Sequence, residues 1–211
     1  ALRPLVTGYR AWLVEQRAVA GTDPEVQRYG NAARTALDDA DGLADRLDRA
    51  IDLLRDNGGA REAFRFANQA MAAQRVRSEL VRARAASVGA EPEELLRRYD
   101  VPEYRSWRPF QLAFVLLCLP GLTDHAHPDA HRGAADGQVQ LLFFPTGGGK
   151  TEAYLGLAAY TLAIRRLQRT VGTGADARDG SDGVGVLMRY TLRLLTAQQL
   201  SLIHISEPTR L

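Results

Sequence analysis

The sequence predicts an α/β protein, with an all-helical amino-terminal region followed by the opening of a parallel sheet. Three observations predict it. Apolar residues in the first hundred positions recur at helical spacing. From Trp107 onward the pattern runs helix, strand, helix, strand, helix. The first of those strands ends in a glycine-rich turn and a lysine that opens a helix. The chain has 211 residues, 45% apolar and 25% charged, which suits one or two globular domains able to bury a core without disulfides.

The elements follow in order. Tyr9, Trp12 and Leu13 mark the apolar face of a first helix. Asp23-Pro24 is a start signal, because Asp caps and Pro is tolerated in a first turn. Leu43, Leu47, Ile51 and Leu54 form a helical stripe, and Asn57-Gly58-Gly59 is expected to stop that helix. A second helix is predicted from about Arg61 to Ala86, burying Phe64, Ala67, Met71, Val76 and Leu80. Residues 36–56 hold seven Asp and three Arg, whereas 61–84 hold six Arg and two Glu. Two helices of opposite charge are expected to offset each other in a hairpin. The arginine-rich one also carries the residue type that contacts phosphates.

In the second half, Trp107 to Leu119 is apolar nearly all round and reads as a buried helix. A polar loop, 123–137, precedes a predicted buried strand, Val139 to Phe144. A helix is predicted over Thr151 to Leu167, a Gly- and Asp-rich loop over Val171 to Gly183, a strand over Val184 to Tyr190, and the start of a helix over Leu192 to Gln199. These assignments divide the chain into a helical region, 1–100, a sheet-forming region, 101–199, and a tail, 200–211.

Several function classes are excluded or left unsupported. The longest apolar run, Leu112 to Leu119, is far short of the ~20 residues that span a membrane. No basic and then apolar segment opens the chain, so secretion is not signalled. The single cysteine, Cys118, sits inside the apolar run and reads as a core thiol in a reducing compartment, which points to the cytoplasm. A net charge of +2 is too small to argue for nucleic acid by itself. His125, His127 and His131, with Asp124 and Asp129, are metal-ligand types, but their spacing matches no structural zinc site and a solvated loop is expected.

The segment that carries chemistry is Phe143-Phe144-Pro145-Thr146-Gly147-Gly148-Gly149-Lys150-Thr151-Glu152. Glycines lack a Cβ, so their backbone can approach a phosphate and point N–H groups at it. The following helix adds the positive end of its dipole. Arginine supplies 26 of the 27 basic residues, as a GC-rich coding bias would favour, and Lys150 is the only lysine. Its compact ammonium suits the β- and γ-phosphates of ATP, where a planar guanidinium has a different reach. Thr151 is placed to put its hydroxyl on Mg²⁺. The G-x-x-x-x-G-K-[ST] pattern asks for glycine where this chain has Phe144.

The Pro-Thr-Gly-x-Gly-Lys-Thr form resembles motif I of superfamily 2 helicases. Arg108-Pro109-Phe110-Gln111, 39 residues before Lys150, resembles their Q motif, in which the glutamine amide reads the adenine edge. Arg189 to Gln198 resembles motif Ia, which holds a nucleic-acid strand by its backbone, with Thr191 and Arg193 as the implied phosphate contacts. Together with Ala63 to Met71 and Trp107 to Gln111, these segments make the chain similar to the large helicase of DISARM phage-defence systems, the DrmA family. The resemblance implies a RecA-like P-loop parallel sheet, truncated here, an ATP and Mg²⁺ site (Arg108, Gln111, Thr146, Gly147, Gly148, Gly149, Lys150, Thr151), ATP-driven engagement of DNA, and partner subunits of a defence system.

The last residues, Leu200 to Leu211, depart from the arginine- and alanine-rich style and hold two of the four isoleucines. They resemble a translated sequencing-library adapter, and an artefactual tail on a fragment is expected. Hydrolysis in this helicase class needs an Asp-Glu pair, and no Asp-Glu dipeptide occurs in the chain. Negligible turnover is therefore expected. Two other readings fit the same residues: a P-loop ATPase with no DNA role, and a helical docking module, 1–100, for partner subunits.

Overall fold

A computed structural model describes residues 2–86, 91–130, 139–145, 147–174 and 177–189. The chain forms two compact units that interleave in sequence, Ala1–Arg61 with Pro109–Thr146, and Glu62–Arg108 with Gly147–Leu211. The helices are α1 (Arg3–Thr22), α2 (Pro24–Gln27), α3 (Gly30–Asp56), α4 (Gly58–Ala86), α5 (Pro92–Tyr99), α6 (Pro102–Arg105), α7 (Pro109–Thr123) and α8 (Lys150–Gln168). A 3₁₀ turn covers Pro128–Ala130, and two short strands, β1 (Thr170–Val171) and β2 (Arg178–Asp179), pair antiparallel.

The first unit is built on α1, α3 and α7, with α3 packed against both of the others. Val6 and Leu13 of α1, Ala44, Leu47, Ala50 and Leu54 of α3, and Phe114, Val115, Leu116 and Leu119 of α7 form its core. The alanines let the helix backbones approach. Asp23 ends α1 and accepts the Glu25 N–H at 2.8 Å, which starts α2 as the Asp-Pro signal predicts. Across the α1–α3 seam, Arg3, Arg10 and Arg17 recur every seven residues. Arg3 pairs with Asp48 and Asp52, Arg10 with Asp45 and Asp48 at 2.7 and 3.0 Å, and Arg17 with Asp38 and Asp41. The acidic face of α3 is thus met by α1, whereas the arginine-rich α4 pairs Arg65 with Glu62, and Arg75 and Arg82 with Glu79, along its own length.

Asn57-Gly58-Gly59 stops α3 as expected, with Asn57 its C-cap, and it also opens the next helix. Asn57 leaves helical geometry, and its side-chain oxygen accepts the Ala60 N–H at 2.9 Å. It caps α4, whose first turn includes both glycines.

The second unit buries Ala63, Ala67, Met71 and Val76 of α4, Leu95 of α5, and Ala153, Tyr160 and Ile164 of α8. Gln74 and Ser78, buried on α4, satisfy each other at 3.1 Å. The β1–β2 hairpin follows α8, with Gly180 donating to the Arg169 carbonyl at 2.7 Å.

The predicted parallel sheet is not found, and the α/β assignment is corrected to a mainly helical fold among the described residues. Val139 to Phe144 and Val184 to Met188 form no strand, and the only sheet among the described residues is the two-stranded hairpin, almost all of it inside a segment expected to be a loop. A buried parallel strand needs ladder partners and covered faces. Here Val139, Leu141 and Phe143 are 89%, 81% and 91% exposed, and Val184 and Leu187 are similarly open. A short apolar run fixes neither a pairing partner nor burial, and helices supply both cores instead. The expected strand end at Tyr190, the helix 192–199 and the tail 200–211 lie outside the described residues.

Candidate phosphate-binding loop

The predicted turn precedes α8 as expected. Gly147 has φ 80° and Gly149 has φ 91°, the left-handed region that costs a residue with a Cβ about 1–2 kcal/mol. Gly149 caps α8, Lys150 is its first residue, and Thr151 and Glu152 complete the opening turn. The first N–H groups of a helix have no partners within it, so Lys150, Thr151 and the turn gather backbone donors at the positive end of a 19-residue helix. The donors, the ammonium and the hydroxyl fit a magnesium-bound triphosphate in chemistry. Glu152 buries its Oε2 with no hydrogen-bond partner among the described residues.

Arg108, which precedes α7, extends its guanidinium to this turn, with Nη1 donating to the Gly148 carbonyl at 2.8 Å. Its neighbour Trp107 donates from Nε1 to Asn68 Oδ1 on α4 at 2.7 Å. The indole also lies against Gly156 of α8, where a Cβ would stand 2.7 Å from the Trp107 Cη2. The site reading gave no role to Trp107, Asn68, Gly156 or Glu152. An isolated glycine inside an apolar helical pattern was the available signal for Gly156, since such glycines mark close packing.

The remaining candidates are distributed elsewhere. In the first unit, Gln111 is buried at the start of α7, and Phe110 beside it stacks on Phe144 with centroids 3.9 Å apart and planes 9° from parallel. Thr146, Thr191 and Arg193 lie outside the described residues, as does His131. His127 turns its Nδ1 to the Asp129 N–H at 3.1 Å, and Arg46 pairs with the Asp129 carboxylate at 2.7 Å. These line a hollow of about 200 Å³ with Arg49, Leu117, Pro120 and Pro128. Among the described residues no group of three His, Cys, Asp or Glu could hold a metal ion. Cys118 is half-buried, and burial pushes its thiol up to about 12, which favours the protonated form. No helix among the described residues is long and apolar enough to cross a membrane.

No protein-family model matches the chain. Over 170 residues, 80% of its length, it is 41% identical to the DISARM protein DrmA of Bacillus paralicheniformis. At that identity the chain is related to DrmA, and it spans 14% of that relative's length.

Proposed function

We propose that this chain contributes the triphosphate-gripping loop of a DrmA-like phage-defence ATPase that works on DNA as a helicase or translocase. The observation that carries the reading is the succession of left-handed Gly147 and Gly149, then Lys150 and Thr151 as the first two residues of α8. The relationship to DrmA supports the defence context and, with it, partner subunits of that system.

In this reading the backbone N–H groups of 147–151 orient the phosphate oxygens, which positions them without covalent chemistry. Lys150 would balance charge on the β- and γ-phosphates, and the Thr151 hydroxyl would hold Mg²⁺. When bound, ATP would supply a γ-phosphoryl group that water accepts, with ADP as the leaving group. The chain has no Asp-Glu dipeptide to position an attacking water, so tight binding with negligible turnover is its expected behaviour.

Calorimetric titration with Mg-ATP tests the loop. Binding by the unaltered chain and a loss of at least about tenfold in Lys150→Ala, with an unchanged melting temperature, is the expected result. Equal affinity for the two proteins removes the reading. The DNA role is tested on a full-length DrmA-like protein, whose ATP turnover should rise with added single- or double-stranded DNA. If no DNA stimulates it, the helicase step is withdrawn and an ATPase without a DNA role remains.

A further inference from the structure

The dipeptide Trp107-Arg108 touches α8 and the loop before it at two places. Arg108 holds the Gly148 carbonyl at 2.8 Å, ahead of the helix. Trp107 lies on Gly156, six residues beyond Lys150, so closely that any Cβ there would collide with its ring. The indole is itself fixed, because its Nε1 donates to Asn68 Oδ1 at 2.7 Å while Asn68 Nδ2 donates to the Phe64 carbonyl at 2.7 Å. Met71, one helical turn further along α4, closes the same contact, 3.7 Å from a Cβ at Gly156. The geometry therefore fastens two consecutive residues to α4, to the body of α8 and to the middle of the glycine turn.

A turn of three glycines has more backbone freedom than any other tripeptide, and that freedom opposes an anion-receiving shape. For its N–H groups to face a ligand, its carbonyls must point elsewhere. A guanidinium on the Gly148 carbonyl, between left-handed Gly147 and Gly149, enforces that orientation. We infer that Trp107 and Arg108 are positioning residues that hold the glycine turn in its anion-receiving shape before any ligand arrives. Arg108 acts here through the backbone of the turn, as distinct from reading the adenine base. The inference rests on the phosphate-binding reading only for the turn's purpose, and the shape itself is measurable without nucleotide.

The test is amide hydrogen exchange of residues 147–151 in the unliganded full chain, with Arg108→Ala, Arg108→Lys and Asn68→Leu, alongside melting curves and Mg-ATP titrations. Arg108 is exposed, so its truncation leaves the cores intact. Arg108→Ala should speed exchange at 147–149 by about tenfold or more and weaken Mg-ATP binding by a similar factor, with α1 and α3 exchange and the melting temperature unchanged. Arg108→Lys should restore much of both effects, because an ammonium can still donate to the carbonyl. Asn68→Leu should change exchange in the same direction, more weakly, by releasing the indole. Unchanged exchange at 147–149 in Arg108→Ala overturns the inference, and if affinity falls all the same, Arg108 contacts the nucleotide directly. Absence of Mg-ATP binding, or equal binding by Lys150→Ala, overturns the phosphate reading alone, because the exchange arm uses no nucleotide.

Discussion

In the first unit Arg3, Arg10 and Arg17 each face a pair of aspartates on α3, whereas in the second unit Arg108 faces a backbone carbonyl between two left-handed glycines. The same guanidinium closes a charge ladder in one place and shapes a turn in the other. The first unit directs its features to stability: five aspartates of α3 meet guanidiniums of α1, its thiol is partly buried and its small residues draw helices together. The loop of the second unit keeps left-handed glycines, an exposed arginine and a lysine at a helix start. None of these is what stability alone would select. The difference teaches that charge counted along the chain says little until the group it meets is known.

Four measurements sharpen or break this contrast. The largest change in rate among them is expected at Cys118. With its thiol pushed up by burial, reaction with a disulfide reagent at pH 8 should be slower than for a free thiol by about tenfold or more, and denaturant should restore it. A group whose neutral form is favoured by folding adds stability below its unfolded value. That stability is lost as pH rises above about 9, where the unfolded thiol ionises first. Rapid labelling of the native protein would show that the thiol is not shielded.

Next, Leu116→Ala, at a fully buried position, should cost about 2.7–5 kcal/mol in chemical denaturation while the Mg-ATP affinity proposed for the loop is unchanged in the folded fraction. Loss of affinity in the folded fraction would mean that the two regions do not divide stability from binding. Gly149→Ala reverses the emphasis. It should cost about 1–2 kcal/mol through its positive φ and also weaken nucleotide binding by distorting the turn. The smallest effect belongs to Arg10→Ala. Its guanidinium is exposed, and a double-mutant cycle with Asp48→Ala should give a weak coupling that salt reduces further. Hydrogen bonds from Arg10 and then Arg3 hold the Asp48 carboxyl below its ordinary 3.8. Its stabilising effect is therefore present above about pH 4 and lost as pH falls through and below that value. A strong coupling that persists in high salt would show the ladder to be more than surface electrostatics.

Much of the helical content was legible because spacing reports a helix directly. The stripe through Leu47 and Leu54, the start at Asp23-Pro24 and the apolar α7 all carry local signals. The glycine turn with its single lysine was legible for the same reason. Illegible features depended on partners. Val139 to Phe144 has the composition of a strand, but a strand exists only when another pairs with it. Asn57 is the terminator of α3 that the sequence signalled, but its second role, capping α4 through Ala60, carried no separate sign. Trp107 and Asn68, 39 positions apart, carry no sequence sign of meeting.

By itself, then, the sequence determined the helices, the shape-permitting glycines and the chemistry gathered at Lys150, since propensity, capping and backbone freedom act within a few residues. Tertiary structure alone decided that α1 answers the acids of α3, that the apolar 139–144 run joins no sheet, and that Trp107-Arg108 secures the turn. Each of those outcomes is a contact between residues far apart in the chain, and such contacts are chosen by packing and burial, which no local pattern encodes.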